Sequence, residues 1–437
     1  MIEVSRLNKR LITAALVGSM GGFVFGYDLG ALSASTQSLR YQFYLSPAVF
    51  GLTVSASLWG TIGGSLLAGR FADRVGRRDL IAGCSILYSL ATIAIGLAVS
   101  SEWSLFLVMR FLCGIAIGGF TVGCPLYLSE LAPIAERGRL VGLFQVQVGA
   151  GVVVAFSVGS LFAHLPASHA LWKWCLGAGA IPAVALLLLL RLVPPGEPGL
   201  STTQSQKQIT STPASSEAVR FSHHERLFRW RNRRPILLAT SIAVFNQLSG
   251  VNILLLYMLD ILSSAGVGLS LGHRYTVLIS CLSLATTLVG MAFVDKIGRK
   301  PLLFLGSAGM ALCLLSLGLA VPHHFAPSLY LSILVVYNAF FAFSQGTVIW
   351  VYLSELFPPG IRGSGQGYGA SVHWIANAIL VSTFPVMQHS LSIRTFYFFA
   401  LMMVLQIVVV LLWYPETRGT VLGSATATEN ADGARFG

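Results

Sequence analysis

The chain holds 437 residues, of which 55% are hydrophobic and only 10% charged, with a formal charge of +12. A soluble domain of this size could neither hide so much apolar surface nor stay dissolved with so little charge, which excludes a soluble enzyme. Nucleic acid is not the implied partner either. The cations sit in short clusters between apolar segments, with no basic face and no stripe of interleaved aromatics, the pattern of the positive-inside rule.

A transmembrane helix needs about 20 apolar residues. Twelve such segments are predicted, at 11–33, 49–69, 79–99, 103–129, 140–163, 171–193, 235–264, 273–294, 301–320, 328–356, 365–387 and 394–414. The first follows a charged start like a secretory signal. It runs past any small-residue cleavage site into Tyr27, Asp28 and more apolar residues, so it reads as a span. Residues 194–234 form the long polar break: a Ser/Thr/Gln-rich linker, then the basic HHERLFRWRNRR, which suits either an amphipathic segment on anionic headgroups or a solvated loop. The expected organisation is a six-helix half at 1–193, a cytoplasmic linker at 194–234, a second six-helix half at 235–414 and a cytoplasmic tail at 415–437.

Placing both termini in the cytoplasm puts 23 Lys and Arg residues on that side and four outside (Arg40, Lys173, Arg274, Arg394), with Arg110 inside a span. The reverse orientation inverts that ratio. The six cysteines are scattered through apolar segments without a CxxC or Cys/His cluster, and read as small buried hydrophobes with no metal and no disulfide framework.

The two halves repeat. GRFADRVGRRDL (69–80) after the second span is matched by VDKIGRKPL (294–302) after the eighth. YLSELAPIAERGRL (127–140) after the fourth is matched by YLSELFPPGIRGSG (352–365) after the tenth. Asp73 to Arg77 and Asp295 to Arg299 both span four residues, and Glu130 to Arg137 and Glu355 to Arg362 both span seven. Each motif falls at a cytoplasmic helix junction, where Gly76 and Gly298 permit a tight turn. There an arginine can pair with a carboxylate or a helix C-terminus from the neighbouring repeat, the alternative being that the motifs only set topology. Such pairs would form an inner gate that holds one side shut and breaks when it opens.

At these residues the chain resembles the sugar porter family of the major facilitator superfamily, including its bacterial proton/sugar symporters. The likeness covers nearly the whole chain: GGFVFGYDLGALSAS, GRFADRVGRR, RFLCGIAIGG, PLYLSELAP with RGRL, WKW at 172–174, NQLSGVN, VDKIGRK, SELFPPGIRG and the terminal PETRG. It implies an all-α membrane protein of twelve helices in two halves, with substrate bound near the midplane and reached alternately from each side. The chain departs from the family in four places. PPGEPG lacks the arginine of PESPR, Ser283 replaces an asparagine, Thr347 a proline, and His373 a polar amide.

Asp28 and Arg110 are the ionisable groups deep in the first half's spans, where charge is costly and marks function. Both are expected a turn or two from the outer ends of their spans, at matching depth, and able to pair. The resemblance implies proton coupling, because the family's symporters carry an aspartate here whereas its passive members commonly carry a neutral residue. Protonating Asp28 would release Arg110 and shift the favoured state. A static ion pair in a passive facilitator is the alternative.

The cargo site is expected among amides and aromatics within the bundle: Gln145, Asn246, Gln247, Asn252, Tyr257, Trp350, His373, Trp374 and Asn377. Amides donate and accept, matching a neutral hydroxyl-rich ligand, and the family assigns sugar contacts to several of these positions. Single amides could instead be helix–helix glue. His373 reads as a stand-in for the amide. The expectation is thus a cell-membrane transporter of a small neutral sugar or polyol, acting as a monomer with protons as coupling ion and no other cofactor. A membrane sugar sensor would need a long signalling tail, and 415–437 is short and polar.

Overall fold

In hydrocarbon every backbone N–H and C=O must find a partner within the chain, which leaves helices or a closed barrel. A computed structural model describes residues 9–97, 102–131, 137–163, 171–193, 227–264, 266–320, 327–358, 361–391 and 394–417. Among the described residues the elements are helical, and 12 spans are long and apolar enough to cross a bilayer. The fold is an all-α membrane architecture.

The first half comprises α1 (Lys9–Phe43), α2 (Pro47–Val75), α3 (Arg77–Leu97), α4 (Trp103–Leu131), α5 (Arg137–Phe162), and a broken sixth span, α6 (Leu171–Gly177) and α7 (Ala180–Leu189). The second half starts with a seventh span in three pieces: α8 (Arg233–Leu248), α9 (Val251–Leu256) and α10 (Met258–Ser264). α11 (Leu269–Ile297) and α12 (Arg299–Ala320) follow. The tenth span is split into α13 (Pro327–Phe343) and α14 (Gln345–Leu356), and α15 (Arg362–Leu391) and α16 (Arg394–Trp413) complete the half. Most of the linker and tail, 194–226 and 418–437, lies outside the described residues.

The first span differs from its predicted end at residue 33. It continues to Phe43, and Asp28 therefore sits about four turns from that end rather than one or two. The polar run after residue 33 stays helical because its side chains have partners: Ser33 Oγ donates to Leu255 O (2.6 Å) and Gln37 Nε2 to Leu259 O (3.2 Å). The helix stops where Tyr44 turns to φ 49° and Ser46–Pro47 start α2. The cysteines are all free, and Cys281 is exposed on the bundle exterior rather than buried.

The repeat in sequence is also a repeat in packing. α1 against α5, α2 against α4, and α3 against α7 recur as α8 against α15, α11 against α13, and α12 against α16. The halves meet along two seams, α2 with α15 and α5 with α11. They also meet where α1 touches α9 and α10 at the expected outer end. The Ser33–Leu255 and Gln37–Leu259 bonds both join residues 222 positions apart, the same offset as between Asp73 and Asp295. Each position thus bonds its own counterpart, which places this contact near the quasi-twofold axis. The tenth span breaks without the family's proline: Thr347 Oγ1 donates to Ala342 O (2.8 Å) across the kink, and Ser344 Oγ adds a second bond to Phe340 O (2.6 Å), which also accepts from Ser344 N.

Candidate functional site

The first cluster is ionic and lies wholly in the first half. Arg110 from α4 grips Asp28 from α1 with both terminal nitrogens, Nη2 to Oδ2 at 2.9 Å. Nη2 also donates to Ser57 Oγ from α2 (2.8 Å), and Tyr88 Oη from α3 donates to Asp28 Oδ1 (3.0 Å). Asp28 is 1% exposed and Arg110 0%. Removing two charges from water costs several kcal/mol per ion, and bidentate geometry with extra donors is what repays it. The expected pair therefore forms. Ser57 and Tyr88 were not legible in the sequence, because hydroxyls are common in these helices and most simply bond a carbonyl one turn back, as Ser85 does with Ile81.

The second cluster is neutral and belongs to the second half. Gly250, at φ 84°, separates α8 from α9, a left-handed conformation that favours glycine. The break is stitched by Ser249 Oγ, which donates to Asn246 O and accepts from Val251 N, and by Tyr337 Oη donating to Ser249 O. This bend brings Asn252 Nδ2 to 2.8 Å from Gln247 Oε1. Gln247 Nε2 in turn lies 2.9 Å from a ring nitrogen of His373 on α15 and 3.2 Å from Asn246 Oδ1. Trp350 and Trp374 each stand 5.2 Å from the imidazole, centroid to centroid. Phe25 of α1 meets Trp374 edge-on at 5.5 Å, a first-half contribution that sequence reasoning missed.

Two polar atoms in this region, Asn246 Nδ2 and Asn377 Oδ1, are buried with no hydrogen-bond partner among the described residues. One is a donor and the other an acceptor, and burying either unpaired is costly. Asn246, Gln247, Asn252, His373, Trp350 and Trp374 are thus connected, with Asn377 one helical turn from His373 on α15. Gln145 is half-buried on α5, with no described contact to the cluster.

Tyr257 does not belong to that cluster. Its Oη donates to Val381 O (3.0 Å), and its ring is wedged between Phe50 (5.8 Å) and Phe384 (4.9 Å). It closes the expected outer end, beneath a cavity of about 600 Å³ that Arg40 and Asp260 also line. The two bends of the seventh span, at Gly250 and Tyr257, turn these residues onto different neighbours.

The repeated motifs form matching junctions, each described ion pair lying within its own half rather than reaching the neighbouring repeat as expected, because the motif arginine caps the adjacent helix end and meets the glutamate of the next span of the same half. Arg77 Nε bonds Glu130 Oε1 at 2.8 Å while its Nη1 reaches Ala72 O; Arg299 bonds both oxygens of Glu355 while its Nη1 reaches Val294 O. Gly76 (φ 92°) and Gly298 (φ 101°) make the turns. At the second junction Glu416 accepts from the backbone of Arg299 and Lys300, and Thr417 Oγ1 donates to Glu355 (2.6 Å). Side chains of Asp73, Arg137, Asp295 and Arg362 lie outside the described set. Among the described residues no group of His, Cys, Asp and Glu has metal-site geometry.

Comparison with known proteins places this geometry in context. Residues 14–427 match the family model described as "Sugar (and other) transporter". The D-xylose transporter of Levilactobacillus brevis is 32% identical over 392 residues, covering 84% of each chain. A glucose transporter of Staphylococcus epidermidis is 31% identical, covering 95% of this chain and 96% of its own. The inward-open structure of the xylose transporter of E. coli superposes with a TM-score of 0.82 at 27% identity, covering 96% of this chain and 99% of that one.

Proposed function

Because the chain belongs to the family of sugar (and other) transporters, we propose that it moves a small neutral sugar or polyol across the cell membrane by alternating access, coupled to proton symport. The observation that carries the proton coupling is the fully buried Asp28–Arg110 pair. A charge pair so deep is expensive to keep and more so to break. Protonating Asp28 removes one partner's charge and changes which arrangement of α1 and α4 is favoured.

The cargo is assigned to the cluster at Gln247, Asn252, Asn246, His373 and Asn377. Its neutral donors and acceptors, with Asn246 Nδ2 and Asn377 Oδ1 unpartnered, match a polyhydroxylated molecule. The rings of Trp350 and Trp374 suit the C–H faces of a sugar, and relatives named for D-xylose and glucose support that class. The expected orientation keeps both termini in the cytoplasm, with 194–234 as linker and the Arg77–Glu130 and Arg299–Glu355 junctions bracing the inner end of each half as it moves against the other. The bonds from α1 to α9 and α10 then close the outer side, one of the states alternating access requires. The halves contain every named element in one chain, which supports a functional monomer.

The test is uptake of labelled D-xylose and D-glucose into proteoliposomes under an inward proton gradient. Symport predicts accumulation above equilibrium that a protonophore abolishes, while equilibration persists. Equilibration that never exceeds the external concentration makes the protein a passive facilitator.

A further inference from the structure

Asp28 has a second donor besides Arg110, and its placement assigns a role to a residue that no motif marks. Tyr88 Oη lies 3.0 Å from Asp28 Oδ1, and the ring is 1% exposed. Three other features converge there. Gly179, at the break between α6 and α7, lets the hydroxyl approach: a Cβ on Gly179 would lie 3.0 Å from Tyr88 Oη and equally from Leu176 O. The neighbouring Tyr27 donates to Cys175 O (3.1 Å). At the same break Gly179 N turns to Leu176 O rather than to the carbonyl of Cys175. α1 is thus hydrogen-bonded to α3 and to the kink of the sixth span through two adjacent residues.

We propose that Tyr88 is a positioning residue of the proton switch, holding the Asp28 carboxylate in its ionised, Arg110-bound form. This rests on the proton-coupling reading of Asp28. A phenol O–H donates more strongly to a carboxylate than to the carbonyl oxygen of the neutral carboxyl, so replacing the donor removes more support from the Arg110-bound form than from the protonated one. Among the described residues the ionisable groups around the pair are Cys113 of α4 and Tyr88 of α3, with Tyr27 adjacent on α1 and neutral Ser57 from α2. Arg110 supplies the fixed positive charge. Tyr88 sets how readily a proton displaces it.

The experiment measures uphill D-xylose or D-glucose uptake in proteoliposomes as a function of external pH, together with counterflow exchange. Tyr88→Phe keeps the ring and removes the donor. Its half-maximal pH for uphill uptake should move upward by about one unit, the equivalent of a hydrogen bond to a charged group, with the exchange KM unchanged. Should Tyr88→Phe fail to fold, Gly179→Ala displaces the hydroxyl while keeping it and should move the midpoint the same way. An unmoved or lowered midpoint, including uniform loss of uptake at every pH, overturns the role of Tyr88. Asp28→Asn run alongside separates the two readings: uphill uptake retained there overturns the proton assignment itself, whatever Tyr88 does.

Discussion

The two halves share one fold and one junction motif, yet their interiors differ in kind. In the first half, four helices converge on a sealed ion pair, with Ser57 and Tyr88 completing its bonds. In the second, a helix break gathers amides, an imidazole and two indoles into a neutral cluster. A buried charge resists change until its protonation state alters, whereas a neutral polar cluster can exchange internal bonds for those of a ligand. The duplication has therefore diverged into a half built around a buried charge pair and a half built around a neutral polar cluster, the proposed energising and recognising halves, joined by Phe25 against Trp374 and by the α1–α9–α10 contacts.

The largest expected effect comes from removing the titratable group. Asp28→Asn should reduce uphill accumulation to simple equilibration while sparing counterflow exchange; full accumulation in that variant would remove the energetic half of the comparison. Gln247→Ala comes next. It deletes a residue bonded to both His373 and Asn252, and an exchange KM raised by about 10- to 100-fold is expected for a lost ligand-facing hydrogen-bonding group. An unchanged KM would turn the cluster into helix–helix glue.

Glu355→Gln weakens the junction shared by Arg299 and Thr417 and should slow exchange a few-fold, about threefold being typical of a partly exposed ion pair worth under ~1 kcal/mol. The equivalent Glu130→Gln change, which weakens the bond to Arg77, should have an effect of similar size. His373→Asn is expected to be mildest, with KM within about threefold, since an amide can keep one bond to Gln247. A large pH-dependent loss in that variant would show the imidazole moving protons and blur the division between the halves.

Much of this was legible in the residues alone. The twelve spans, the internal repeat and the Asp28–Arg110 pairing follow from apolar length, motif spacing and the cost of buried charge. Gly250 was a readable break because glycine sits between two amides. Other features depend on three-dimensional registry that no local pattern encodes. Ser57 and Tyr88 look like any helix hydroxyl until α2 and α3 rotate them inward. The family resemblance groups Tyr257 with the cargo residues, and its packing between Phe50 and Phe384, apart from the amide cluster, depends on a second bend at Tyr257 itself. The extension of α1 to Phe43 was hidden because Gln37 and Arg40 read as loop until Leu259 O on α10 and the Phe50 ring on α2 are in place.

The most direct test of the division between the halves follows sugar and proton together. Purified protein in lightly buffered proteoliposomes, with no imposed gradient, is given external D-xylose or D-glucose while external pH and labelled uptake are recorded. The account predicts that sugar entry draws protons inward, so that the outside turns alkaline, and that Asp28→Asn abolishes this signal. Sugar entry with no proton movement in the wild-type protein would contradict it.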